Sequence, residues 1–146
     1  MCKEKWIRWK PKLNLTSFYF VCRRRFFGNS LEIFLSDPYE KEKDLKFLFD
    51  NSVLFYGVTE ERCRLSTIGY LGQTYNGSLL AEWSFFKVFN SEALSYILSL
   101  SETEVDGKEL THFSIVDDDL ILDVIASKEP EVSEVNLEEI ANNSKR

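Results

Sequence analysis

Histidine is almost absent from this sequence, and its scarcity excludes most acid–base chemistry. The chain of 146 residues contains a single histidine, His112. General bases and nucleophile-activating groups are most often histidines, because the imidazole exchanges its proton near neutral pH. His112 opens a strand pattern on the face opposite Phe113 and Ile115, and no spacing ties it to the candidate partners Asp117 or Cys63. We therefore predict an exposed or hydrogen-bonded strand histidine and no catalytic residue.

Cysteine is scarce as well, and long apolar runs are missing. Cys2, Cys22 and Cys63 are odd in number, widely spaced and without a CxxC pair. This excludes a disulfide framework and a zinc cluster, and it predicts reduced thiols in the cytoplasm. The opening MCKEKWIRWK has no apolar segment of the signal-peptide kind, and no run approaches the roughly 18 apolar residues of a membrane span.

Motifs that hold phosphates, metals or nucleophiles are also missing. Neither GxxxxGK[ST] nor GxSxG occurs in the sequence. Asp117, Asp118 and Asp119 are consecutive, whereas a calcium loop alternates its ligands and has a glycine at the sharp turn. The sequence thus predicts no metal, no cofactor and no enzymatic activity, with a solvated acidic turn at 117–119.

Aromatic residues, in contrast, are plentiful. They make up 14% of the chain and include 12 phenylalanines. Phe and Tyr favour pleated, half-buried surfaces. The sequence therefore predicts an α+β fold with a mostly antiparallel, twisted β-sheet of about six or seven strands and one or two helices packed on it. The predicted strands are 17–22, 31–36, 45–50, 53–59, 83–89, 112–116 and 120–127, of which the last could instead be a short helix.

One helix has clear signals. Asn90 or Ser91 can cap it, and Ala93, Leu94, Ile97 and Leu98 follow at helical spacing. The segment from Glu60 fits both the two-residue period of a strand and the 3.6-residue period of a helix. We predict that its strand continues through Ile68. We expect a single domain over 1–132 and a mobile acidic and polar tail over 133–146.

Charge is divided unevenly along the chain. Residues 1–28 carry a net charge of +7, whereas residues 29–146 carry −13. A basic, aromatic N-terminal segment would suit phosphates and stacked bases, but the acidic remainder would repel a nucleic acid. The acidic body suits a basic protein partner, and the Arg23–Arg25 stretch remains unexplained by that interpretation.

Several segments together resemble a family of small bacterial proteins: IRWKP, LFDNSVLFYGVTEERCRLSTIGYL, FFKVFNSEAL and HFSIVDDDLILDVIASKEPEV. They span most of residues 7–132, and none is a catalytic motif. Proteins of this kind are similar to the immunity proteins of polymorphic-toxin and contact-dependent inhibition systems. The resemblance implies a small, cytoplasmic, single-domain inhibitor, and it implies no active-site residues.

The sequence therefore predicts an immunity-type protein that occludes the active site of a cognate toxin domain, a basic protein such as a nuclease. The predicted partner-binding residues are acids taken to be exposed and two aromatic anchors: Asp117, Asp118, Asp119, Asp123, Glu129, Glu131, Tyr75 and Trp83. The second hypothesis is a nucleic-acid-binding module that uses the basic aromatic N-terminal segment. The third is a small enzyme centred on His112 and the Asp117–Asp119 cluster.

Overall fold

Strands dominate the secondary structure, as the aromatic content predicts. The computed structural model describes residues 4–11, 19–37, 44–75, 83–100 and 109–137. Within these ranges the strands are β1 (Lys5–Arg8), β2 (Phe20–Phe27), β3 (Ser30–Ser36), β4 (Asp44–Phe49), β5 (Val53–Glu60), β6 (Phe85–Phe89), β7 (Thr111–Val116), β8 (Leu120–Ala126) and β9 (Glu131–Val135). The helices are α1 (Leu65–Thr74) and α2 (Glu92–Leu100), and a 3₁₀ turn at Glu61–Cys63 precedes α1. The predicted antiparallel α+β fold is confirmed.

The strands form two sheets rather than one. The five-stranded sheet has the order β1-β6-β7-β8-β5, and the four-stranded sheet has the order β2-β3-β4-β9. Every pairing is antiparallel. A sheet with one apolar face must bury that face against another layer, and here much of the covering comes from a second sheet. The described residues therefore contain nine strands where about six or seven were expected.

The main core lies between the two sheets. Alternation along β3 directs Leu31, Ile33 and Leu35 to one side, and all three side chains are fully buried there. Phe47 of the four-stranded sheet stacks on Phe85 of the five-stranded sheet, with ring centroids 5.1 Å apart. Such contacts join the two sheets in one apolar cluster.

A second core covers the other face of the five-stranded sheet. Leu71 of α1 is fully buried against a cluster that includes Trp6 and Phe86. Ile68 and Tyr75 pack against the same cluster at helical spacing from Leu71. The predicted strand through Ile68 is therefore wrong. The chain turns into a helix after Glu60 because only a helix brings these three side chains to one face.

The remaining predictions at the ends of elements have mixed outcomes. The N-terminal cap of α2 is confirmed as Ser91, whose hydroxyl accepts the backbone N–H of Leu94 at 3.0 Å. Residues 120–126 form a strand and not a helix. β9 includes residues on both sides of the predicted 132/133 boundary. Residues 17 and 18 of the first predicted strand and residues 138–146 of the predicted tail lie outside the described residues.

Candidate functional site

His112 lies at the centre of a buried chain of hydrogen bonds. Its Nε2 is 2.7 Å from Oδ1 of Asp123, and its Nδ1 is 2.6 Å from the hydroxyl of Ser91. The other carboxylate oxygen of Asp123 accepts a hydrogen bond from Arg64 at 3.0 Å. All these side chains except Arg64 are buried. The predicted hydrogen-bonded strand histidine is confirmed, but its partners are Ser91 and Asp123 and not Asp117 or Cys63.

The electrostatics of this chain hold Asp123 in its charged form. Burial by itself raises the pKa of Asp123, but the hydrogen bond and charge from His112 and the charge of Arg64 outweigh burial. The pKa of Asp123 is consequently lowered from its ordinary value. The carboxylate of Asp123 accepts a hydrogen bond from Nε2 of His112, and Nδ1 of His112 shares a hydrogen bond with the hydroxyl of Ser91.

Serine, histidine and aspartate are also the residues of a nucleophilic triad, and here they form a buried hydrogen-bonded network at the start of α2. The Ser91 hydroxyl already accepts the N–H of Leu94, and the side chain is 4% exposed. A cleft of about 330 Å³ between α2 and β7 reaches Ser91 and His112, and its walls include Val88, Leu94, Leu98 and Leu110. In this geometry the network fastens the start of α2 to the five-stranded sheet.

Two of the acids predicted to be exposed are buried, so that expectation is wrong for them. Asp117 is 3% exposed because its carboxylate organises the turn between β7 and β8. Its Oδ1 accepts the N–H groups of Asp119 and Leu120, and its Oδ2 accepts the N–H of Val21 at 3.0 Å. Asp123 is 6% exposed because it pairs with His112 and Arg64. Neither carboxylate is free to meet a partner.

The other predicted contact residues are dispersed. Asp118 and Asp119 are exposed on the β7–β8 turn, Glu131 is exposed at the start of β9, and Glu129 is exposed but paired with Lys87. Tyr75 and Trp83 are half-buried, and their polar atoms bond to the backbone oxygens of Trp6 and Trp9. The structure therefore does not bring the eight predicted residues together in one surface.

A metal ion in a protein needs several ligating side chains that lie close together. No group of three or more His, Cys, Asp or Glu side chains within the described ranges could hold one. The acidic turn at 117–119 contributes two exposed carboxylates, while the third is used by backbone N–H groups.

A surface that the sequence did not single out lies along two sheet edges. We call it the β2–β5 side and define it as residues 23–27 of β2 and 54–58 of β5. The two strands meet where the rings of Phe26 and Tyr56 are 4.9 Å apart. Five apolar side chains of this side are substantially exposed: Phe26, Phe27, Leu54, Phe55 and Val58.

The β2–β5 side is an opening into the space between the sheets. Phe26 pairs with Leu31, and Val58 pairs with Leu122, so both side chains point toward the main core. Side chains in such positions are normally covered, yet Phe26 is 45% exposed and Val58 is 39% exposed. The interior of the sandwich is therefore not closed along this side.

The same side carries a concentrated positive charge. Arg23, Arg24 and Arg25 are exposed, and none of them forms an ion pair with a carboxylate among the described residues. The guanidinium of Arg25 lies over the ring of Phe27, 5.0 Å from its centroid. This surface combines unpaired cations with exposed aromatic and aliphatic side chains, which is the composition of protein-binding surfaces.

Comparisons with known proteins found no match among family models, characterised proteins or solved structures. Within the part of the chain that the structure describes, neither helix has the length and apolar character needed to cross a bilayer.

The sequence contained a signal for the His112–Asp123 pair that simple motif spacing does not reveal. A tight turn at 117–119 makes β7 and β8 a hairpin, in which Ser114 pairs with Asp123. His112 and Asp123 therefore lie on the same face, one diagonal step apart. The sequence signal for the β2–β5 side is weaker. The Arg23–Phe27 stretch shows basic and aromatic residues together, but the sequence does not show that β5 lies beside them.

Proposed function

We propose that this chain is an immunity-type protein of the bacterial cytoplasm that binds a cognate toxin domain and occludes its active site. The observation that supports this proposal is the β2–β5 side, where apolar side chains directed toward the core are exposed beside three arginines that form no ion pair with the described carboxylates. Large exposed apolar patches on a folded protein mark interaction surfaces. Trp, Tyr and Arg contribute most of the binding energy at such surfaces, and the arginines are in place here.

The chemistry of the described residues favours inhibition by contact over catalysis. The one histidine is hydrogen-bonded on both ring nitrogens, to Ser91 and to Asp123, and this network connects the start of α2 to β7. An inhibitor that works by occlusion needs a rigid surface and no reacting group. Two packed sheets supply that rigidity behind the β2–β5 side.

Nucleic-acid binding is the second candidate, and the exposed Arg23–Arg25 stretch favours it. Of the aromatic residues in the N-terminal segment, Trp6 and Tyr19 are each at most 2% exposed, whereas Phe26 and Phe27 are exposed. Leu54 and Val58 offer aliphatic surface, which does not stack on bases as an aromatic ring does. The composition of the β2–β5 side therefore suits a protein better than a nucleic acid.

Co-expression tests the proposed function. The probe is the toxin domain encoded beside this chain's gene, expressed alone and with the chain. We expect growth to be restored and a 1:1 complex to be recovered. Replacing Phe26 and Val58 with aspartate should abolish both results, whereas Leu65→Asp on the exposed surface of α1 should not. Unchanged rescue by the Phe26 and Val58 variant would contradict the proposed surface.

A matched pair of charge variants separates the alternatives. Neutralising Asp118, Asp119 and Glu131 tests the acids that the sequence predicted as contacts, and neutralising Arg23, Arg24 and Arg25 tests the β2–β5 side. Binding to single-stranded DNA that falls steeply with salt and is lost with the arginines would favour the nucleic-acid module instead.

A further inference from the structure

The free edges of the two sheets differ in how well they are protected. Among the described strands, β1 and β5 end the five-stranded sheet, and β2 and β9 end the four-stranded sheet. An edge strand presents unpaired N–H and C=O groups that can pair with a strand from another chain. Proteins usually prevent this pairing with short strands, charges, prolines or bulges.

Three of these four edges show such protection. β1 has four residues and carries Lys5 and Arg8. β9 has five residues and carries Glu131 and Glu134. β2 carries the arginine triplet and has an irregular register between Val21 and Arg23.

β5 is the exception. It has eight residues, and its sequence VLFYGVTE contains no charge before Glu60 and no proline. Its one irregularity lies at its start, between Val53 and Phe55, which leaves a regular register from Phe55 to Glu60. Leu54, Phe55 and Val58 are exposed along it. A long, apolar and uncharged edge is a liability unless something pairs with it.

We propose that β5 is a docking edge for an extended, acidic segment of the partner protein, which adds a sixth strand to the five-stranded sheet. This inference rests on the proposed function, since it assigns a binding mode to the same side. Backbone hydrogen bonds to β5 supply affinity, and alternating side chains of the added strand supply specificity. One face of the added strand packs on the side chains of Phe26 and Val58.

Charge determines the chemistry of the added strand. The arginines of β2 lie beside β5, because Phe26 of the same strand contacts Tyr56. Arg24 precedes Phe26 by two residues and therefore faces the same way. Glutamate or aspartate in the added strand meets these unpaired guanidinium groups, and apolar residues between the acids cover Phe26 and Val58.

The same charges disfavour a second copy of this chain. Two-fold pairing of β5 with β5 would bring the arginine triplets of both copies toward the same seam. Like charges placed opposite one another destabilise a strand pair. Asp123 of the neighbouring strand does not relieve that repulsion, because its carboxylate is buried and bonded to His112 and Arg64.

Amide exchange and chemical shifts of the full chain test the inference with a defined probe. The probe is a peptide of alternating Glu and Val, about ten residues long, and its control alternates Lys and Val. In the free protein, amides that alternate along β5 have no partner in β8 and should exchange quickly. We expect the Glu-Val peptide to slow the exchange of these amides and to shift the resonances of β2, while β1 stays unchanged.

Two variants and a control test the contacts of the peptide. Replacing Arg23, Arg24 and Arg25 with glutamine should weaken binding of the Glu-Val peptide about tenfold, since each exposed ion pair contributes a fraction of a kcal/mol. Val58→Lys should abolish binding, whereas Leu65→Lys should bind as the unchanged chain does. The spectrum of each variant shows whether it has folded.

The inference is overturned if the Glu-Val peptide leaves the β5 amides in fast exchange, or if the Lys-Val peptide protects them equally. It is also overturned if the toxin domain forms its complex while those amides remain unprotected. In that case the proposed function stands and only the strand addition fails. If the Glu-Val peptide protects the β5 amides but the chain does not restore growth against the toxin, the strand addition stands and the proposed function fails.

Discussion

The carboxylate of Asp123 accepts hydrogen bonds from His112 at 2.7 Å and from Arg64 at 3.0 Å, and it is almost fully buried. We expect Asp123→Asn to lower the free energy of unfolding by about 3 kcal/mol, because breaking a buried ionic network leaves groups unpaired. Urea unfolding at pH 7 measures the change. Asp118→Asn, a neutralisation on the exposed turn, is the control and should stay within about 0.5 kcal/mol.

The pH dependence of the same pair gives a second prediction. Folding lowers the pKa of Asp123, so protonation favours the unfolded chain. The stabilisation from its charge is complete above the ordinary pKa of about 3.9 and is lost as the pH falls toward the lowered folded-state value. The difference in stability between the unchanged chain and Asp123→Asn should therefore shrink below about pH 4. A difference that is constant with pH would contradict the assignment.

At the residue scale, the sequence predicted types of environment better than partners. His112 was correctly placed on the face opposite Phe113, because strand alternation is a local property. Its partner was not found, because the register between β7 and β8 depends on the length of the turn that Asp117 organises. The sequence predicts Asp117 and Asp123 as exposed acids, and both are buried, since composition alone does not distinguish a capping carboxylate from a solvated one.

At the scale of elements, α1 shows how tertiary packing decides an ambiguous sequence. Cys63, Leu65 and Thr67 alternate as in a strand, while Ile68 and Leu71 follow helical spacing. The helix wins because Leu71 is buried against Trp6, more than sixty residues earlier in the chain. No short stretch of sequence around α1 contains both residues of that contact.

This packing gives a matched test within one helix. Leu71→Ala should lower the free energy of unfolding by about 3 kcal/mol, because it removes a buried side chain and leaves a cavity. Leu65→Ala deletes the same atoms from a side chain that is 69% exposed, and it should change stability by less than about 0.5 kcal/mol. Thermal or urea unfolding of the two variants gives the comparison. Equal losses would show that α1 does not cover the sheet as described.

At the scale of the whole molecule, the two sheets depend on each other. The phenylalanine content predicted sheet structure, but it did not show that the strands divide into two layers, since that division requires knowledge of which strands pair. The Phe47–Phe85 stack and the contact of Phe49 with Phe113 connect the layers at 5.1 Å and 5.3 Å. The contacts of the shared core imply that neither sheet is stable alone.

A double-mutant cycle measures this dependence. Phe47→Leu and Phe85→Leu should each destabilise the protein, and the double variant should be less destabilised than the sum by about 1 kcal/mol, because both single changes remove the same ring contact. Native-state amide exchange should also give β3 and β8 similar opening free energies. Strict additivity, or one sheet opening well before the other, would contradict a common core.

The order of strands in the five-stranded sheet has a consequence for synthesis on the ribosome. Its middle strand is β7, and β1, β5 and β6 are all translated before it. A nascent chain that has reached residue 100 therefore has the outer strands of that sheet without its middle strand. β5 has no neighbouring strand of its own sheet until β8 follows, at translation speeds of about 5–20 residues per second. Protection of the growing chain by a chaperone would matter most during this interval.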